Sequence, residues 1–176
     1  FSSIMIQNNL IEWCGDGICN TKSGSVVIYN NTLRNNTYMG ICNNNCSMAP
    51  TIENNTIVGN TNSGIHNING PSAVIRNNNI SRNNNAGINN TGSAKPTIAN
   101  NNISGNNHFG IINFDSSEPV IENNTISYNK EDGIFNTNNA ILTIRSNTIH
   151  NNSGYGILCQ QKVNATVTNN TITNNM

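Results

Sequence analysis

Four residues combine the chemistry of soft-metal ligands with a spacing that brings them together. Cys19, Cys42 and His66 recur at intervals of 23 and 24 residues, each two residues after a glycine, and Cys46 follows Cys42 by four. In a chain repeating with that period the three side chains stack on consecutive turns, within reach of a shared Zn2+ or copper ion. Two arguments oppose the metal. A stacked column makes a line, whereas zinc takes a tetrahedron. Cys19 and Cys42, one turn apart, also fall within disulfide range. The column continues as Asn89, Ile112, Phe135 and Leu158, as a plain surface stripe would. Five cysteines, with Cys14 and Cys159, leave at least one unpaired within the chain. Thiols or a disulfide therefore stand ahead of a metal site, and no cofactor is expected.

Acid–base chemistry on a polysaccharide needs carboxylates gathered in pairs. The eight acids are Glu12, Asp16, Glu53, Asp115, Glu118, Glu122, Glu131 and Asp132. Asp115, Glu118 and Glu122 come nearest to a cluster. Three acids have a cation one period away instead: Glu53 with Arg76, Lys95 with Glu118, and Glu122 with Arg145. Opposite charges facing each other across neighbouring strands pair favourably. These acids read as structural, and no catalytic residue is assigned.

Positioning such residues falls to a repeat that runs through the whole chain. The aliphatic column Leu10, Leu33, Ile57, Ile80, Ile103, Ile126, Ile149, Ile172 steps by 23 with a single 24. Five residues earlier runs a second column: Met5, Ile28, Ile52, Ile75, Ile98, Ile121, Ile144 and Val167. Seven residues after the first column stands a glycine, from Gly17 to Gly156, followed by an aliphatic. Two residues before it stands an asparagine in every repeat: Asn8, Asn31, Asn55, Asn78, Asn101, Asn124, Asn147, Asn170. Each apolar run is too short for a helix, and Asn and Gly punctuate the runs as turns. The pattern predicts an all-β solenoid: a right-handed parallel β-helix of about 7.5 coils with three short strands each, as one domain over residues 1–176. Ile57, Ile80, Ile103, Ile126 and Ile149 then ladder through the interior, and the Asn column ladders through a turn, where Asn tolerates left-handed backbone.

The phrases Ile52-Glu53-Asn54-Asn55-Thr56-Ile57 and Ile121-Glu122-Asn123-Asn124-Thr125-Ile126, each followed by Asn and then Gly-Ile, resemble the coils of the pectin-lyase-like superfamily. The asparagine-rich version is similar to the periplasmic β-helix protein of nitrous oxide reductase maturation and to prokaryotic surface proteins. The resemblance implies the fold throughout. It leaves activity open, because this superfamily spans lyases, hydrolases, epimerases, tailspikes and adhesins, and a fold does not fix a site.

Charge narrows the partners. Eight Lys and Arg against eight Asp and Glu give formal net charge zero. That leaves no basic stripe for nucleic acid, and no apolar run is long enough to span a membrane. Asparagine, 44 of 176 residues, with few charges suits an extracellular or cell-surface location, with the periplasm as the other option. Phe109, Ile112, Phe135, Tyr155 and Leu158 form an apolar stripe fit for an interface. No end cap is visible, which fits either a piece of a longer β-helix or a chain that stacks end to end. The reading is a non-catalytic structural β-helix that self-associates end to end. The alternatives are a carbohydrate-binding or carbohydrate-processing module with glycan partners, and a periplasmic metal-handling protein.

Overall fold

A computed structural model describes residues 3–70 and 72–176. The chain winds through 23 short strands and, among the described residues, no helix. The third coil is representative, with strands Thr51–Glu53, Thr56–Val58 and Ile65–Ile68. Every third strand pairs in parallel with its counterpart one coil away. This builds three sheets, here A, B and C in the order the chain visits them, of eight, eight and seven strands. Register is set by side chains with period 2. Ile52, Ile57 and Ile65 point inward at zero exposure, while their neighbours face out.

Turns explain the asparagine content. Between sheets A and B the first turn residue is left-handed, as at Asn54 (φ 57°), Asn77 (φ 57°) and Asn100 (φ 57°). The second, such as Asn55, turns inward and bonds to the next coil's asparagine, Asn55 Nδ2 to Asn78 Oδ1 at 3.0 Å. A second ladder runs through the B–C turn from Asn36 to Asn175. A third lies on the inner face of sheet C from Asn20 to Asn136. The two turn ladders satisfy backbone and amide groups, and the sheet C ladder amide groups, that burial would otherwise leave unpaired.

The glycine column has a steric cause. A Cβ on Gly87 would stand 2.5 Å from Ile103 Cγ2 and 2.8 Å from the Gly110 carbonyl oxygen. The chain enters sheet C too close to sheet B's isoleucine ladder for any side chain.

The first coil corrects the sequence-based register by one residue. Ile6, not Met5, pairs with Ile28, and Ile11, not Leu10, pairs with Leu33. Asn9, not Asn8, enters the ladder, its N–H donating to Asn31 Oδ1 at 3.0 Å. Asn8 instead takes the left-handed turn position (φ 59°). Met5 and Leu10 are exposed. The doubled aliphatic pair Leu10-Ile11 made either residue a match to the pattern. Only the second keeps the coil's second asparagine facing inward.

Candidate functional site

Sheets A and B present outer faces mostly of Thr, Ser, Asn, Val and ion pairs, with Tyr29 and His150 among them. Sheet C does not. Its outward column is Cys19, Cys42, His66, Asn89, Ile112, Phe135 and Leu158, registered strand to strand, with only the two cysteines alike. It runs from thiols through His66 and Asn89 to aliphatic and aromatic residues. Two of its members are recessed, Cys42 at 7% and Asn89 at 8% exposure although both face outward, while Cys19 is exposed and the others are half-buried. One wall of the trough is the residue before each glycine, including Asp16, Met39, Phe109 and Tyr155. The other is two residues beyond the floor column, where Thr91 Oγ1 lies 3.4 Å from His66 Nε2.

The trough has two chemically distinct halves. Toward the N-terminal coils, Asp16, Cys19 and Cys42 bring their ligand atoms within 4.8 Å of one another. Asp16 is fixed by accepting the Met39 N–H at 3.1 Å. Burial, reinforced by Cys19 and Asp16, pushes the Cys42 thiol up to about 12. Burial brings His66 down to about 4, so its ring is neutral near pH 7. Toward the C-terminal coils the floor becomes apolar. Phe109 stacks on Phe135 with centroids 4.9 Å apart, Ile112 and Leu158 flank Phe135 in register, and Tyr155 stands exposed on the wall. At the junction, His66 Nδ1 and Asn89 Oδ1 are buried with no hydrogen-bond partner among the described residues. Such groups ordinarily have one.

Of the expected metal donors, Cys19 and Cys42 come together and Cys46 does not. Its thiol donates to the Asn20 carbonyl at 3.4 Å on the far connection. His66 lies one strand beyond Cys42, outside the three-residue group. Asp16, which shares a sequence column with the distant Asp132, is the member that periodicity does not reveal. All five cysteines are free thiols.

Every carboxylate holds a partner about one coil away. Arg76 Nη2 donates to Glu53 at 2.9 Å, Lys95 Nζ to Glu118 at 2.8 Å and Arg145 Nε to Glu122 at 2.7 Å. The corrected register adds Arg34 Nε to Glu12 at 2.6 Å, a pair that the 23-residue spacing does not show. His108 Nδ1 meets Glu131 at 2.9 Å, Asn138 donates to Asp115, and the Tyr155 N–H donates to Asp132 at 2.7 Å. Burial raises the pKa of Asp132 against that last bond. Asp115, Glu118 and Glu122 are thus engaged separately rather than gathered. A shallow concavity of about 240 Å3 on sheet A, lined by Glu118, Val120, Leu142 and Thr166, offers only the carboxylate already held by Lys95.

The model of the right-handed β-helix region matches residues 1–93 and again 40–176, which together span the chain. The chain belongs to the right-handed β-helix family. No curated protein sequence matches this β-helix. Among solved structures it is similar to the A-module of the Azotobacter vinelandii mannuronan C-5 epimerase AlgE4. The TM-score is 0.73 at 18% identity, over 98% of this chain and 54% of that one. It is similar also to the periplasmic alginate epimerase AlgG, with TM-score 0.74 at 15% identity, over 96% of this chain and 50% of that one. At these identities the likeness is one of fold, and the β-helix spans about half the length of each.

Proposed function

We propose that this β-helix is a non-catalytic glycan-binding segment that works outside the cytoplasm and receives a weakly charged polysaccharide in the trough on sheet C. The observation that carries the reading is the apolar floor of Ile112, Phe135 and Leu158, bordered by the exposed Tyr155 and, in the same column, by the polar side chain of Asn89. Sugars present hydroxyls beside apolar C–H faces. A floor of aromatic and aliphatic surface with a polar amide at its end matches that alternation.

Charge supports the class of ligand. Four of the eight basic residues, Arg34, Arg76, Lys95 and Arg145, are held in ion pairs, and none of the eight stands in the floor column. A strongly anionic polymer would find little to neutralise it. Catalysis finds no support in the acids, because each of the eight carboxylates is bound to a structural partner. The filament role has no observation behind it comparable to the trough. Low charge and the fold likeness to a periplasmic protein support a location beyond the cytoplasm.

The test is electrophoresis of the native chain through gels containing neutral or acidic polysaccharides, at low and high salt. The proposal expects retardation on a neutral polymer that salt leaves unchanged, with no new chain ends released. Retardation on acidic polymers alone, abolished by salt, would overturn it.

A further inference from the structure

The N-terminal half of the trough assembles donors that the glycan reading does not use. Cys19 and Cys42 are direct register partners on adjacent strands of sheet C. A purely stacked pair would leave their sulfurs on a line with no third ligand to complete a coordination shell. Asp16 removes that objection. It comes from the preceding turn rather than from the column, and it leans toward the second coil to accept the Met39 N–H. Its carboxylate and the two thiols therefore form a triangle, with all mutual separations within 4.8 Å. With Zn–S near about 2.3 Å and Zn–O near about 2.0 Å, two ligands on one ion stand up to about 4.6 Å apart, so the triangle has the size that one ion spans.

Position separates this group from the other thiols, since Cys19 too has a polar neighbour, Thr21 Oγ1 at 3.4 Å. Cys46 spends its thiol on the Asn20 carbonyl, and Cys14 contacts the Glu12 carbonyl at 3.5 Å. Cys159 is exposed at the far end of sheet C. Next to Cys42 in register stands His66, whose Nδ1 is buried with no partner. Among the described residues no Lys or Arg forms an ion pair with Asp16, and the nearest Arg in sequence, Arg34, is held by Glu12.

We propose that Asp16, Cys19 and Cys42 bind a thiophilic d10 cation, Zn2+ or Cu+, with His66 as the candidate for the fourth position. Two thiolates select soft and borderline ions, the carboxylate fits Zn2+, and Asp16, in no ion pair among the described residues, leaves its charge for the metal to neutralise. Binding would clamp the first three coils together, since the donors come from each of them.

The full chain, reduced and freed of metal, is titrated with Zn2+ against a chromophoric chelator, and with Co2+ followed by its sulfur-to-metal absorption. The proposal expects one equivalent bound, a charge-transfer band, and protection of Cys19 and Cys42 from alkylation. Cys42→Ser should weaken binding by more than about tenfold, the least expected when a metal's surroundings lose a supporting partner. Asp16→Asn keeps an oxygen to accept the Met39 N–H, so it tests the ligand without unfolding the turn, and it should weaken binding as well. Cys159→Ser should bind as the parent does. No uptake by the reduced parent chain, or uptake unchanged in both Cys42→Ser and Asp16→Asn, overturns the site. Glycan retardation is read separately on the metal-free chain, so failure of one proposal leaves the other standing.

Discussion

Asn78 donates twice to a single atom of Asn101: its backbone N–H at 2.9 Å and its side-chain Nδ2 at 3.0 Å both reach Asn101 Oδ1. Asn101 in turn donates its own Nδ2 to the Ile75 and Ala99 carbonyls and to Asn124 Oδ1. One side chain thus ties three coils, at 2% exposure.

Asn101→Ala strands several buried groups at once. Each costs about 1–3 kcal/mol, so the variant should lose more than about 3 kcal/mol in urea denaturation. Asn101→Asp keeps the acceptor but not the donors and should also be destabilised. Asn102→Ala, on the exposed outer face of sheet B, should change stability by less than about 0.5 kcal/mol.

Two glycines should respond oppositely. Gly87→Ala puts a methyl group 2.5 Å from Ile103 Cγ2 and should cost several kcal/mol or prevent folding. Gly15 has nothing within 4 Å of a Cβ and lies outside the left-handed region. Gly15→Ala should be neutral or stabilising by about 0.4–1 kcal/mol. Thermal melts of the two variants decide this.

The isoleucine and asparagine ladders are legible in the amino-acid order because they obey one rule, that every inward position must match the position above it. The one-residue error in the first coil has the same origin. Where Met5 and Ile6, or Leu10 and Ile11, both satisfy an apolar column, periodicity cannot choose, and the inward asparagine decides. The shift also hides the Glu12–Arg34 pair, which stands 22 apart rather than 23. Outward positions are under no such rule. That Asp16 leans across a coil to join Cys19 and Cys42, or that Asn89 lies recessed with its oxygen unmet, depends on turn shape and not on period.

Neighbouring asparagines on the same strand should separate structure from function. Asn90 accepts from Asn67 Nδ2 and donates to Asn113 Oδ1, so Asn90→Ala should cost about 2 kcal/mol or more. Asn89 Oδ1 has no partner to lose. Asn89→Ala should melt within about 0.5 kcal/mol of the parent while weakening glycan binding.

Asp132 gives a pH signature. Burial raises its native pKa above the ordinary 3.8, so the native state holds that proton more tightly than the unfolded chain. Its contribution to stability therefore falls as pH rises from about 3.8 through the native value. Asp132→Asn keeps an oxygen for the Tyr155 N–H and removes the charge. Denaturation between pH 3 and pH 7 should show the variant gaining on the parent as pH rises, and equal to it at the acid end.

A glycan site in the trough stands or falls on the affinity of the metal-free chain for a neutral polysaccharide, compared with Tyr155→Ala, Asn89→Ala and Tyr29→Ala. Tyr29 is an exposed aromatic on sheet A, away from the trough. A wall aromatic contributes about 0.5–1.5 kcal/mol, a loss of roughly twofold to tenfold. Such losses are expected for Tyr155→Ala and Asn89→Ala and none for Tyr29→Ala. Equal binding by all four chains, or binding lost only in Tyr29→Ala, would contradict a glycan site in the sheet C trough.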